Sequence, residues 1–323
     1  DPVQTEPDVP HLTKMLEKLN LFVCQDIFMT QTAAMADVVL PATSWGEHEG
    51  VFTACDRTFQ YFSQAVPPKG ECKHDWQIFS ELAERMGYDM HWENAQQIWD
   101  EECRALWPAA YGATYEKMAG TGHAQWPIPT LDHPGTPDLF LGGKFTTPEG
   151  KAHLVAHDYR DPTEMPDEEF PLILCTVREV GHYSCRSMTG NCKVLALLAD
   201  EPGELRIHPD DAKERGIRDG ELVRAWSRRG ETMSRAVIDE RVNAGTVYMT
   251  YQWWIGKCNN LTLHHVDDRS RTQEDKFSAC QVEALPDQKW AERHLQELYS
   301  QLKENLAETA AAQHVEPTCE GAE

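Results

Sequence analysis

The chain has 323 residues, 41% of them hydrophobic, enough for two or three part-domains with cores of their own. Its 53 acidic against 30 basic residues give a formal net charge of -23, so nucleic-acid phosphates and anionic membranes are repelled at long range. An anionic ligand must then be held locally, by backbone N–H groups and single Arg or Lys side chains. The ten cysteines are scattered with no C-x-x-C among them, which argues against a locally encoded zinc or iron–sulfur cradle and for reduced, partly buried thiols. No stretch is apolar enough to cross a bilayer, and the opening DPVQTEPDVP lacks the basic and apolar regions of an export signal. A cytoplasmic protein is the expectation.

In chain order, residues 8–20 place Leu12, Met15, Leu16 and Leu19 at helical spacing and lead into the apolar run LFVC from Leu21. A polar, small-residue segment separates that run from DVVLP, stopped by Pro41. Strand, loop and strand with helical crossovers suggest a parallel α/β sheet. Between His74 and Met86 the residues Trp76, Phe79, Leu82, Ala83 and Met86 keep a 3.6 period, with Gly87 as C-cap. Asn94 and Gln97 have capping-box spacing for a second helix, which stops at Pro108. Residues 120–169 are rich in Pro, Gly, Asp and Thr and mark the main boundary.

Beyond Phe170 the texture changes to short strands, FPLILCTV, ELRIHP, ELVRAWS, ETMSRAVID and GTVYMTY, separated by turns such as RDG, RRG and NAG. This predicts an all-β barrel with a short helix at DDAKERG, then a terminal helix from about Gln288 to Leu306. The chain therefore reads as an α/β part, a boundary segment within about 120–169, a barrel part with its C-terminal helix, and a disordered tail of 309–323.

Three segments carry candidate chemistry. TVREVGHYSCRSMTGN, residues 176–191, gathers Arg178, Glu179, His182, Ser184 and Arg186 after an apolar strand. Arg can take a phosphate in bidentate fashion and Glu can accept from an amino group of a guanine or pterin ring; a solvated polar loop is an equally weighted reading. MTYQWWIGKCNN, residues 249–260, offers aromatic rings for stacking, although aromatic plugs and domain contacts are commoner. Residues 40–60 contain Glu47, His48 and Glu49, which are adjacent and so point apart rather than toward one metal. Asp75 is either a ligand-binding carboxylate or the N-cap of the helix ending at Gly87, and its spacing favours the cap.

Long runs tip the balance. DPVQT at 1–5, VCQDIFMTQTAAMADVVLPATSWGEHEGVF at 23–52, YGATYEKM at 111–118, the 176–191 loop and VYMTYQWWIG at 247–256 stand in an order that resembles the formate dehydrogenases. Those belong to the molybdenum or tungsten oxidoreductases that carry a bis(molybdopterin guanine dinucleotide) cofactor. FTACDRTFQ departs from the form common in the wider family and places the chain nearer the formate branch than the nitrate or sulfoxide ones.

The resemblance implies the rear of an α/β dinucleotide-binding domain, residues 1–164, followed by a double-psi-like β-barrel lying across the dinucleotides, residues 165–308 with the C-terminal helix. It implies formate oxidation to carbon dioxide, with electrons passing through pterin to a [4Fe–4S] cluster in a missing N-terminal part, and electron-transfer or hydrogenase subunits as partners. By motif position, Asp1, Thr5, Gln25, Asp26, Ala42 and Asp75 resemble cofactor contacts of the α/β part. Arg178, Glu179, His182, Ser184, Tyr251, Asp275 and Lys276 resemble those of the barrel. Ala42 replaces a family Ser, leaving a backbone contact, and Asp275 replaces a family Tyr, bringing a negative charge. No catalytic residue and no metal ligand of that family falls within these 323 residues. The alternative is a free-standing dinucleotide-binding module without catalysis.

Overall fold

The structure is a computed structural model that describes residues 1–312. Contacts divide the chain into two compact units, residues 1–40 with the chain from Tyr159 onward, and residues 41–158. The first forty residues thus pack with the barrel, whereas the sequence had grouped them with the segment up to 164.

In the first unit a short helix Pro2–Thr5 starts at Asp1, and a second, Val9–Leu16, is capped by Asp8, whose carboxylate accepts from His11 N–H at 3.3 Å. This helix ends earlier than its periodicity suggests. Lys18 and Leu19 bond to carbonyls three residues back, tightening the final turn, and Leu19 is exposed. Strands β1 (Val23–Asp26) and β2 (Val38–Pro41) form a two-stranded sheet.

The 41–158 unit holds β3 (Gly50–Thr53), β4 (Thr58–Phe62) and β5 (His123–Gln125) in an antiparallel sheet. The parallel sheet expected of this half therefore has only β1 and β2 as candidates. After the Glu47–Glu49 run, β3 and β4 form a hairpin turned at Asp56, whose carboxylate accepts from Thr58 N–H and Oγ1. Phe59, Trp99, Tyr115, Met118 and Ile128 form the core of this unit. Its helix Asp75–Arg85 begins one residue earlier than expected: His74 is the N-cap, its N–H donating to Gln77 Oε1 at 3.2 Å, and Asp75 is the first helical residue. A carboxylate there favours the helix dipole.

The barrel consists of β6 (Leu172–Val177), β7 (Glu204–Ile207), β8 (Leu222–Trp226), β9 (Glu231–Ile238), β10 (Thr246–Thr250) and β11 (Phe277–Ala284). It closes in the order β10-β6-β11-β8-β9-β7, with β10–β6 and β7–β9 parallel and the other pairs antiparallel. Alternate residues such as Leu172, Leu174, Leu205, Ile207, Val247 and Met249 point inward and are buried, each fully buried side chain contributing about 1.5–3 kcal/mol. The sixth strand, β11, escaped the sequence reading because Ser278, Ala279 and Cys280 are too small to show as an apolar run, yet they are what fits between β6 and β8. The terminal helix runs from Gln288 through Ala312 and packs Ala291 and Leu295 against Leu222. It thus overruns the expected tail start at 309, and the remainder of that expected tail lies outside the described residues.

Candidate cofactor site

The barrel topology decides which loops meet. Parallel pairing of β6 with β10, in the register Met249↔Thr176 and Thr250↔Val177, makes both strands end side by side, so Arg178 and Tyr251 emerge together. Antiparallel β11 enters next to β6 with Phe277 opposite Cys175, which delivers Asp275 and Lys276 to the same end. The Arg178 guanidinium carbon lies 5.7 Å and Lys276 Nζ 6.0 Å from the Tyr251 ring centroid. Two cations close to one aromatic ring form a ready receptor for anionic groups. Buried Thr176 donates from Oγ1 to the Asp275 carbonyl at 3.0 Å and accepts from Lys276 Nζ at 3.3 Å. The Asp275 carboxylate lies 3.1 Å from Lys276 Nζ, so its negative charge is matched by its neighbour.

The rest of the loop is fixed from beneath. Glu179 N–H donates to Gln252 Oε1 at 2.6 Å, and Gln252 Nε2 donates to the His182 carbonyl at 2.7 Å. The Glu179 carboxylate accepts from Glu204 N–H at 3.1 Å, and burial pushes this carboxyl above its ordinary range. His182 is buried with Nε2 2.8 Å from the Ala199 carbonyl and Nδ1 3.1 Å from Thr189 Oγ1, so neither ring nitrogen is free. Ser184 and Arg186 adopt left-handed backbone, with φ of 45° and 65°. Arg178, Glu179, Glu204, Arg206 and Tyr248 line a cleft of about 320 Å³.

The N-terminal segment is docked onto the barrel end by polar side chains. Gln4 Nε2 donates to the Tyr251 carbonyl at 3.2 Å, and Asn259 Nδ2 donates to the carbonyls of Gln4 and Thr5 at 3.1 and 2.9 Å. Lys257 Nζ donates to the Val3 carbonyl at 3.3 Å and to Gln31 Oε1 at 2.5 Å; burial lowers this ammonium to about 8. Asp1 Oδ1 accepts from Thr32 Oγ1 at 2.5 Å, and Thr5 Oγ1 donates to the Asp1 carbonyl at 3.3 Å. Asp26, at the end of β1 next to Gln25, accepts from Ile27 N–H at 2.7 Å through Oδ1, while Oδ2 has only a 3.5 Å contact with Thr30 Oγ1. One carboxylate oxygen of Asp26 thus keeps accepting capacity.

The structure therefore gathers Asp1, Thr5, Arg178, Glu179, His182, Ser184, Tyr251, Asp275 and Lys276 around linked segments of one unit. Ala42 and Asp75 belong to the other unit, where Ala42 is buried and bridged to Lys73. In that unit Glu47 caps its own turn by accepting from Ser44 N–H at 2.8 Å, and His48 and His74 both face Thr43 Oγ1 at 3.4 and 3.0 Å. Burial, and then the neighbouring His48, hold the His74 imidazole below its ordinary value. Among the described residues no group of three or more His, Cys, Asp or Glu is placed to hold a metal ion. Sequence reasoning missed Gln4, Gln252, Lys257 and Asn259, whose spacing carries no signal; only the polar Gln252 inside an aromatic run hinted at a buried partner.

Exposed Arg178 and Lys276, the Tyr251 ring beside them and the remaining accepting capacity of Asp26 fit a ligand with phosphates and a hydrogen-bonding heterocycle. Residues 1–85 match the family model described as Molybdopterin oxidoreductase, and residues 172–279 match the one described as Molydopterin dinucleotide binding domain. The chain is 52% identical to formate dehydrogenase H of Escherichia coli over 314 residues, 97% of this chain and 44% of that protein. The chain belongs to the molybdopterin oxidoreductase family. It is also 40% identical to an F420-dependent formate dehydrogenase 2 subunit alpha of Methanococcus maripaludis, over 88% of this chain and 42% of that one. Acetylene hydratase from Pelobacter acetylenicus shares the fold of this molybdopterin oxidoreductase chain with a TM-score of 0.69 at 21% identity, over 86% of this chain and 42% of that one. The chain spans less than half the length of these relatives.

Proposed function

We propose that this chain is the C-terminal, cofactor-holding part of a formate dehydrogenase that oxidises formate to carbon dioxide. On this reading its barrel is double-psi-like and covers a bis(molybdopterin guanine dinucleotide) with molybdenum or tungsten, the α/β strands β1 and β2 contributing to the dinucleotide site. The observation that carries it is the meeting of Arg178, Tyr251, Lys276, Asp1 and Thr5 at one barrel end, in a chain 52% identical to formate dehydrogenase H along 97% of its length.

When bound, the cofactor supplies two-electron redox chemistry, the electrons leaving toward a [4Fe–4S] cluster held outside this chain. The chain's own residues bind and orient. Arg178 and Lys276 offset phosphate charge, Tyr251 presents a flat face, and Asp26 accepts from ring N–H groups of a guanine. Ala42, by its backbone, and Asp75 are assigned as cofactor contacts by motif position alone. Formate as substrate, electron-transfer or hydrogenase subunits as partners and a cytoplasmic location belong to the same proposal.

The test is to purify the enzyme carrying this chain under anaerobic conditions, then measure metal, guanine nucleotide released by acid hydrolysis, and dye-linked formate oxidation. Two guanine nucleotides per metal with formate-dependent dye reduction is the expected result; the 323-residue chain alone should reduce no dye. Cofactor without formate oxidation would favour the binding-module alternative. Neither cofactor nor activity would overturn the proposal.

A further inference from the structure

We propose that Gln252 is a positioning residue of the cofactor site: its carboxamide clamps the turn Glu179–His182 and thereby sets the direction in which Arg178 points. The inference rests on the reading of this loop as a cofactor cradle, and its geometric part stands without it. Gln252 is fully buried. Its Oε1 accepts from the Glu179 N–H at 2.6 Å and its Nε2 donates to the His182 carbonyl at 2.7 Å, so one side chain closes both ends of the turn.

The other ties on the turn are made by side chains at its two ends, the Glu179 carboxylate to Glu204 N–H and the His182 imidazole to Thr189 and Ala199. Val180 at its tip is fully exposed and Arg178 is exposed, so apolar packing does not fix the path of the chain as it leaves β6. A carboxamide offers a donor and an acceptor on one planar group, which is what a backbone N–H and a backbone carbonyl in one turn require. Burying that amide without both bonds would cost free energy, so its presence in an otherwise aromatic run is explained by the clamp. Gln252 also follows Tyr251 directly, so the residue that places the loop is joined to the ring beneath Arg178. His182 completes the arrangement from the far side, its imidazole tied to Thr189 and Ala199 while its carbonyl is held by Gln252.

Two variants of the whole enzyme test this. Gln252→Met keeps the volume and removes both hydrogen bonds. Gln252→Glu keeps both bonds only while protonated, since an ionised carboxylate can accept from Glu179 N–H but cannot donate to the His182 carbonyl. Burial raises the pKa of such a carboxyl, so its donor is present at low pH and lost as pH rises through that raised value. Glu179 and His182 flank the position, and the wild-type protein, which has both, is the control for their titration.

The readouts are hydrogen exchange of the Glu179 amide in cofactor-free protein, and guanine nucleotide and metal retained per polypeptide. In Gln252→Met the Glu179 amide should exchange about tenfold faster, with cofactor content reduced several-fold. Gln252→Glu should retain cofactor near pH 5–6 (an approximate window) and release it as pH rises, where wild type stays flat. Unchanged exchange in Gln252→Met, or a flat profile in Gln252→Glu matching wild type, would overturn the clamp. Faster exchange with normal cofactor content would instead overturn the reading of this loop as a cofactor cradle.

Discussion

Replacing Glu201 by Gln should be among the most damaging single changes in the barrel-bearing unit. The Glu201 carboxylate is 2% exposed and accepts from Arg186 Nη1 at 2.6 Å, and from the N–H groups of Trp254, Ile255 and Gly256 at 2.7, 3.0 and 3.3 Å. Arg186 is fully buried, its guanidinium carbon 4.5 and 5.4 Å from the Trp253 and Trp254 ring centroids. Burial pushes the Glu201 carboxyl up, against the pull of Arg186 and three backbone N–H groups. Four donors and no acceptor are satisfied only by the ionised form. The two chain segments approach so closely that a Cβ on Gly203 would lie 1.8 Å from Trp253 Nε1, and one on Gly256 would lie 1.8 Å from the Pro202 carbonyl oxygen.

Glu201→Gln leaves the buried guanidinium with only the more distant, exposed Asp200 carboxylate at 3.6 Å and sets an NH₂ group against N–H donors, a loss of about 3–5 kcal/mol. The double variant Arg186→Met/Glu201→Gln removes both charges and should lose about 1–3 kcal/mol less than the sum of the single changes. Urea unfolding at neutral pH, followed by tryptophan fluorescence and far-ultraviolet circular dichroism, measures all three variants against wild type. A Glu201→Gln protein within about 1 kcal/mol of wild type, or single effects that simply add, would refute the reasoning.

Three further outcomes are expected. Arg178→Ala, at an exposed position, should change stability by no more than about 0.5 kcal/mol and lower metal and guanine nucleotide content several-fold; normal content would remove Arg178 from the site. Asp275→Tyr removes the carboxylate 3.1 Å from Lys276 and frees that ammonium for phosphate, so cofactor content should hold or rise, and a large loss would show Asp275 to be needed. Lys257→Met addresses pH: with the ammonium lowered from 10.5 to about 8, the unfolded chain carries more protons in that window, so wild-type stability gains at most about 3 kcal/mol as pH rises through it. The variant should lose that gain, and equal slopes in the two proteins would exclude the burial of Lys257 as its source.

The barrel was legible in β6, an apolar run, and in β7, where Leu205 and Ile207 alternate with charged residues, and illegible at β11, where small side chains meet a tight interior. Helical period located Asp75–Arg85 to within a residue but not what it packs against: Phe79, Leu82 and Met86 line an open apolar groove of about 400 Å³ with Trp92 and Ile98, and Met86 is 78% exposed. The capping reading was displaced by one residue because His74, outside the usual set of N-cap types, takes the position. In the site, the loop 178–184 could be singled out by its density of donors. The clamp by Gln252 and the ties from Gln4 and Asn259 could not, since burial of a polar residue is a property of the tertiary contact and leaves no period in the sequence.

That the N-terminal segment meets the barrel through side-chain amides as well as buried apolar residues such as Val3 and Val9 has a physical consequence for ligand binding. Gln4 and Asn259 are almost fully buried and spend their amides on backbone carbonyls of the opposite segment, and Asp8 N–H donates to Thr262 Oγ1 at 3.3 Å. Each such bond contributes only about 0.5–1.5 kcal/mol net, less than burying a large apolar side chain. Unlike apolar packing, however, a hydrogen bond is lost on a shift of about an ångström, and slipping the segment would leave several buried groups unpaired at once. The spacing between Asp1–Thr5 and Tyr251–Lys276 is therefore set before any ligand arrives. A dinucleotide that touches both segments then binds without having to order one against the other, and that saving in conformational entropy appears directly as affinity.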